Sequence, residues 1–420
     1  MEVKRTNFRW YILTLLFVAT TLLYIDRAAL GIMAPYLQEE IGWTEKQYGY
    51  ITSSFMIGYA ICFLLMGRII DRVGSKKGYA ISMGLWSVAQ LAHSLVSSWI
   101  GFAFSRIALS IGQSGNFPVA IKTVAEWFPK KERALAIGIF NGGANVGTMI
   151  APLVIPVVVL FFDSWRFAFV WTFPIAIIWI LCWMFFYSKP EQNKKINSAE
   201  LDYIQSDAEE TSTEKISYFK LLKYRAMWSI IVGKFLTDTI WWFYLFWGAK
   251  YLYTKFGLNL SEIGLPFFTI YLASWGGGIA LGWLSSKLLK QGGSLNRGRK
   301  LSMLACAVCA LPVMFVPYMD NVWASVALIA LAAGGHCGWS ANTFSLMGDV
   351  FPKRVTASVS GLGGFAGGMG GVIAASLIGI VLQDAGPEGY TIPFTVSALG
   401  YCIALAIIQV LLPNIKPIKI

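Results

Sequence analysis

A helix needs ~20 predominantly apolar residues to cross the hydrocarbon of a bilayer. This 420-residue chain carries twelve such runs, centred near Leu16, Ile57, Trp86, Ile111, Val146, Ile175, Thr239, Tyr271, Ala307, Ile329, Gly371 and Leu405. Inside lipid the backbone must satisfy its own hydrogen bonds, which a helix does within one segment. The chain is therefore expected to be an all-α integral membrane protein with twelve transmembrane helices, in keeping with 56% hydrophobic and only 13% charged residues. The first run is too long for the apolar core of a signal peptide and holds a charge pair, so it is expected to stay as a span.

A net charge of +12 would suggest a nucleic-acid partner if its distribution were ignored. With the N-terminus in the cytoplasm, Lys4, Arg5 and Arg9, the loop from Arg68 to Lys77, Lys130, Lys131 and Arg133 all lie inside. So do the stretches Lys189 to Arg225 and Lys287 to Lys300, Lys353 and Arg354, and Lys416 and Lys419. Only Lys46, Arg166, Lys250 and Lys255 fall outside. That is the positive-inside pattern, which predicts a multi-pass protein of the inner (cell) membrane, both termini cytoplasmic, with the lipid bilayer and not nucleic acid as its partner. The six cysteines, Cys62, Cys182, Cys306, Cys309, Cys337 and Cys402, all lie in apolar segments and read as small core residues. The Cys306-x-x-Cys309 spacing sits mid-helix without a liganding histidine, and His93 and His336 are the only histidines. Phosphate-binding loops, nucleophile triads and metal-ligand clusters are missing, so neither enzyme activity, a metal nor a cofactor is expected.

Tyr187 to Arg225 is the one long polar segment, and it divides the spans six and six. The expected organisation is an N-terminal six-helix bundle (1–188), a cytoplasmic linker (189–225) and a C-terminal six-helix bundle (226–420). Leu201 and Ile204, three apart among acids, predict a short amphipathic helix within Asn197 to Glu214. The halves repeat each other: Phe128-Pro129-Lys130 opens the fifth span and Phe351-Pro352-Lys353 the eleventh, each before a glycine-rich helix. A parallel repeat predicts two pseudo-symmetric bundles and a transporter whose substrate site lies near the midplane. The glycines of the second copy (Gly361, Gly363, Gly364, Gly367, Gly368, Gly370 and Gly371) suit close helix approach.

Within the first run stand Asp26 and Arg27. A charge at bilayer depth costs roughly 2.5–3.5 kcal/mol, so such residues normally face a bundle interior and mark function. Neighbouring helix positions point about 100° apart, so each charge should find its own partner. One suits a proton, the other an anion.

Gly67-Arg68-Ile69-Ile70-Asp71-Arg72-Val73-Gly74-Ser75-Lys76-Lys77 ends the second span and begins the third. It resembles the signature loop of the major facilitator superfamily, and Gly67, Asp71, Arg72 and Gly74 are its candidate gate residues. Asp71 can hold the inner side shut by pairing with an arginine or a neighbouring helix start; the matching loop of the second half, Gly282 to Lys300, lacks the acid. The resemblance narrows with Tyr24-x-Asp26-Arg27, the run Arg106 to Pro118, and Ala125 to Ala134 followed by Gly138-x-Phe140-Asn141. These are similar to the anion:cation symporter branch, which moves organic anions, commonly sugar acids, with protons. Together with Lys234 to Tyr244 they are most similar to bacterial hexuronate transporters, for glucuronate or galacturonate.

That resemblance implies the major facilitator fold, and it implies roles. Asp26 matches the protonatable acid of the first helix, Arg27 the ligand of the substrate carboxylate, and Tyr59 a tyrosine bordering the substrate; Tyr24 belongs to the same motif. The chemistry agrees: shielding from water favours the neutral form of a carboxyl group, while a guanidinium stays charged and grips carboxylates bidentately. One position departs. Where the branch usually has glutamate in its fourth span, this chain has Gln113, which imitates a protonated glutamate but releases no proton. Gln113 is thus a candidate for both substrate binding and the coupling position, and Arg106, two turns away on the same face, for the Asp26 network.

Asn141 and Asn145 share a helix face of the fifth span, and His336, Ser340 and Asn342 sit in the tenth; all can serve a sugar's hydroxyls or interhelical hydrogen bonds. Lys234 and Asp238, four apart, can neutralise each other or leave Lys234 for substrate. Trp241, Trp242 and Tyr244 suit stacking on a sugar face or interface anchoring. The reading is a secondary active transporter importing a hexuronate or related sugar-acid anion with protons by alternating access. Its alternatives are an uncoupled organic-anion facilitator or exchanger, favoured by Gln113, and a transporter-like sugar-acid sensor signalling through the linker.

Overall fold

The structure is a computed structural model and describes residues 5–206, 218–290 and 294–418. Among these residues all regular structure is helical. Eight segments are long and apolar enough to cross a membrane; one of them, Ser358–Leu411, turns at Gly386–Tyr390 and so makes two crossings. Three more complete the expected twelve: Ser75–Ala92, the broken pair Trp99–Gln113 and Asn116–Trp127, and Arg225–Phe256. Polar residues such as Lys76, Lys77 and Gln90, a break, and internal charges respectively make these less apolar than the other spans. In chain order spans one to six are Phe8–Ile41, Glu45–Val73, Ser75–Ala92, the broken pair, Lys130–Phe162 and Phe167–Phe186. Spans seven to twelve are Arg225–Phe256, Gly264–Lys290, Leu295–Tyr318, Val322–Val350, Lys353–Ala385 and Thr391–Leu411. Pro129 and Pro352 cap spans five and eleven as the repeated tripeptide predicts.

The chain divides into two compact units, Met1–Ala29 with Ile61–Ser212, and Leu30–Ala60 with Thr213–Ile420. In the first, the glycines of span five meet span one: a methyl group on Gly143 would lie 2.5 Å from the Phe17 carbonyl oxygen, and one on Gly147 would strike that of Thr21. In the second, a methyl on Gly370 would lie 2.5 Å from the Phe235 carbonyl oxygen of span seven. Gly147 and Gly370 stand equally far beyond their Phe-Pro-Lys tripeptides, so the sequence repeat is also a repeat of helix contacts. Such approach lets backbones touch where lipid offers no hydrophobic drive to associate.

Aromatic side chains fasten span six to the first unit. The Trp179 indole donates to the Leu15 carbonyl at 2.8 Å and that of Trp183 to the Lys76 carbonyl at 3.0 Å. In the second unit the far ends of spans one and two, within Leu30–Ala60, pack on spans seven and eleven. Lys250 is buried and pairs with Glu45 at 2.5 Å and with Gln38, Tyr253 donates to Glu39, and the Tyr48 hydroxyl donates to the Phe246 carbonyl at 2.5 Å.

The linker forms a helix over Ser198–Gln205, so the expected amphipathic stretch is helical there; its residues 207–214 lie outside the described residues, as do Lys4 and Lys419. Glu200 from this helix is fully buried. It accepts the backbone N–H groups of Phe8 at 3.1 Å and Arg9 at 3.2 Å, the Thr6 hydroxyl at 2.6 Å and the Arg9 guanidinium at 3.0 Å. A carboxylate at a helix start meets unpaired N–H groups and the positive end of the helix dipole. Arg9 also binds Glu132 at 3.0 Å, and the Tyr203 hydroxyl donates to the same carboxylate at 2.7 Å.

Gly147→Ala and Gly370→Ala should each cost about 1–3 kcal/mol by overpacking. Gly138→Ala, whose added carbon meets nothing within 4 Å, should be neutral or slightly stabilising. Thermal unfolding of the detergent-solubilised protein separates them: lower midpoints for the first two, unchanged or higher for the third.

Candidate functional site

Span four is interrupted at Ser114 and Gly115, and the glycines beside the break let it press on span three. A methyl on Gly112 would lie 2.5 Å from the Trp86 nitrogen, and one on Gly115 would collide with the Ser82 hydroxyl. The break leaves Gln113 fully buried against span one. Its Oε1 accepts from Arg27 Nε at 3.2 Å, and its Nε2 donates to the Leu23 carbonyl at 3.2 Å. The Arg27 guanidinium, 1% exposed, also lies 4.9 Å over the Tyr24 ring.

Asp26 turns the other way, as adjacent helix positions must. Its carboxyl is 2% exposed and is surrounded by the Thr172 hydroxyl, the Arg106 guanidinium and the Trp86 indole, from spans six, four and three. No donor reaches hydrogen-bonding geometry with its Oδ1 atom. Arg106 is itself buried, with His93 beside it. Near Gln113, Asn116 accepts from the Tyr79 hydroxyl at 2.5 Å and donates to Thr20 at 3.2 Å. Asn141 and Asn145 are half-buried on span five and make no side-chain hydrogen bonds among the described residues. The sequence assigns no role at this site to Thr172, Trp86, His93 or the Tyr79–Asn116–Thr20 chain. Beyond Arg106, nothing in spacing links spans three, four and six to Asp26.

In the second unit Lys234 and Asp238 pair at 2.7 Å, with the lysine 8% exposed. Trp241 stacks on His336 at 4.8 Å between ring centres, and His336 shares a 2.8 Å hydrogen bond with the Tyr401 hydroxyl. Lys234, Trp241 and His336 thus form one cluster. Tyr244 is buried against Phe243, Trp242 stacks on Phe246, and Ser340 is half-buried. Asn342 spends its amide on Ser302 of span nine at 3.0 Å and on its own helix, away from that cluster. Tyr59 is half-buried and stacks on Phe55 at 5.9 Å.

At the signature loop Gly74 has φ of +84°, the left-handed region that favours glycine, and Gly67 is unobstructed. The expectation that Asp71 pairs with an arginine or a helix start is corrected here. Its partner is Lys122 of span four, at 3.1 Å, while Arg68 and Arg72 are exposed. A lysine presents a long flexible stem across the gap between spans two and four, a reach that sequence adjacency does not reveal. The helix start of span three is held instead by Glu126, which accepts from Ser75 at 3.1 Å and from Tyr187. The second unit repeats this with Asp349, which binds Arg299 of span nine at 2.8 Å. Glu126 and Asp349 hold the same place before their Phe-Pro-Lys tripeptides.

A family model described as the Major Facilitator Superfamily matches residues 16–375. The hexuronate transporter of Escherichia coli (strain K12) is 29% identical over 423 residues, covering 99% of this chain and 97% of that protein. The D-galactonate transporter of Escherichia coli O6:H1 is 31% identical over 392 residues and 90% of each chain. Among solved structures, a bacterial homologue of the human lysosomal transporter Spinster, in an inward-facing and unoccupied conformation, superposes with a TM-score of 0.80 at 18% identity over 97% of both chains.

Asp238→Asn should leave the Lys234 ammonium buried without its counter-charge and destabilise the protein by about 3 kcal/mol. Lys234→Met combined with Asp238→Asn should recover most of that loss. Thermal midpoints in detergent test both, and equal destabilisation by the single and double variants would remove the pair as the cause.

Proposed function

Because this chain belongs to the major facilitator superfamily, it is a transporter and not an enzyme, and we propose that it imports a hexuronate or related sugar-acid anion with protons by alternating access. The observation that carries this reading is Arg27, a buried guanidinium at membrane depth whose hydrogen-bonded partner Gln113 is neutral. A positive charge held by an amide keeps its attraction for an incoming carboxylate, which it can bind bidentately. Hexuronate and galactonate transport by similar proteins supports a sugar acid as cargo.

Asp26 is the proton carrier in this reading, a carboxyl screened from water beside the anion site but turned from it. Within the second unit Lys234, Trp241 and His336 offer a charge, an aromatic face and a polar ring suited to a sugar; within the first, Asn141 and Asn145 offer amides suited to its hydroxyls. Glu126, Asp349 and the Asp71–Lys122 pair are the contacts whose making and breaking would accompany alternation, with six-helix bundles 1–188 and 226–420 moving about the 189–225 linker. The basic loops favour both termini in the cytoplasm and the inner membrane as location. A second reading, uncoupled facilitation, is favoured by Gln113, and one experiment separates the two.

Arg27→Lys should weaken glucuronate or galacturonate binding by about 1.5–3 kcal/mol, roughly 10- to 150-fold in Kd, and Arg27→Ala should abolish it, as read by calorimetry. Unchanged affinity in a folded Arg27→Ala protein would move the anion site elsewhere. In proteoliposomes Asp26→Asn should lose accumulation driven by an inward proton gradient yet keep exchange of labelled for unlabelled sugar acid. An uncoupled facilitator would show no gradient response even with Asp26 intact.

A further inference from the structure

Gln113 does more than occupy the place of an acid; its two hydrogen bonds fix which end of the amide points where. The oxygen takes the Arg27 Nε–H and the nitrogen gives its proton to the Leu23 carbonyl. A carboxyl group in the same contacts would need its own proton on the oxygen facing Leu23, since two acceptors cannot share a bond without one. The side chain present is therefore a permanent version of that protonated state.

Few other acids can take its place. Among the described residues the buried carboxyl side chains are those of Asp26 and Glu200. Glu200 sits at the start of span one with backbone N–H groups, a hydroxyl and a guanidinium upon it. Asp238, the remaining mid-span acid of the site, is joined to Lys234. Asp26 alone combines burial with an Oδ1 atom that no donor occupies, and the groups facing it are Arg106, Thr172 and Trp86, with His93 next to Arg106.

We infer that one proton, carried on Asp26, crosses with each sugar-acid anion, and that Gln113 is a fixed neutral support of Arg27, so that import of a monocarboxylate moves no net charge. The balance is one negative charge on the substrate and one positive charge on the proton, both released on the far side, with Asp26 returning ionised. The chain then draws on a pH gradient and is indifferent to membrane potential. A carrier moving two protons per anion would transfer one net positive charge per cycle, for which 100 mV is worth about 50-fold in accumulation.

This inference rests on the function proposed above, and the test keeps the two apart. Radiolabelled glucuronate and galacturonate uptake is measured in proteoliposomes with a pH gradient alone and with a valinomycin-set potassium potential alone. Proton entry is followed by a pH-sensitive dye against moles of sugar acid. The expected result is gradient-driven uptake, one proton per anion, and rates unchanged by 100 mV of either sign. Gln113→Glu should add a response to inside-negative potential approaching 50-fold. Stimulation of the unmodified protein by inside-negative potential would overturn the inference by requiring a second proton, and inhibition without a pH response would overturn it by making the anion cross alone. Failure of every sugar acid to bind by calorimetry or to exchange would instead defeat the proposed function, and the inference with it.

Discussion

A guanidinium taken out of water must be compensated, and the choice of compensation governs what the rest of the structure can do. The partners of Arg27 include an amide oxygen and an aromatic face, neither of which carries a charge. Such partners meet the geometry of the arginine without themselves adding an opposite charge, as the proposed anion site requires. The break in span four and the close approach of Gly112 and Gly115 to span three serve this single placement, because they bring Gln113 under Arg27. Asp26 and Arg106 form a separate neighbourhood one residue and one helix face away.

The two units solve the same problem of helix association twice. Span five lies on span one and span eleven on span seven through glycines at matching positions, and an acid two residues before each Phe-Pro holds the start of span three or nine. Where the copies differ, the difference is chemical: the first unit pairs Arg27 with a neutral amide, while the second neutralises Lys234 with Asp238 four residues on. The internal repeat therefore supplies scaffold, and the departures from it mark where the two halves have taken different work.

Much of this was legible in the sequence. Twelve apolar runs, the Phe-Pro-Lys repeat and the divergence of Asp26 from Arg27 follow from helix geometry and the cost of charge in lipid. The Lys234–Asp238 pair was visible as an i,i+4 spacing. What the sequence hid were contacts between helices far apart in the chain: Lys122 on Asp71, Thr172 and Trp86 about Asp26, and Asn342 on Ser302. Periodicity says which face of a helix is buried, not which neighbour it meets, and a lysine's reach or an indole's direction is decided by packing. Asn342 shows the limit well: an interhelical hydrogen bond was one of its two expected roles, yet nothing in the sequence named span nine as the partner.

The cap on span one has a consequence for how the protein is made. Glu200 and the backbone it holds at Arg9 are 191 residues apart, so the first helix enters the membrane before its cap has been synthesised. Until then the unpaired N–H groups at its start rely on water or headgroups. The first span is therefore retained by its own apolar length, and its start locks only after the five helices that follow have been threaded. The carboxylate that caps the first span thus comes from a short polar helix synthesised after all six spans of its unit.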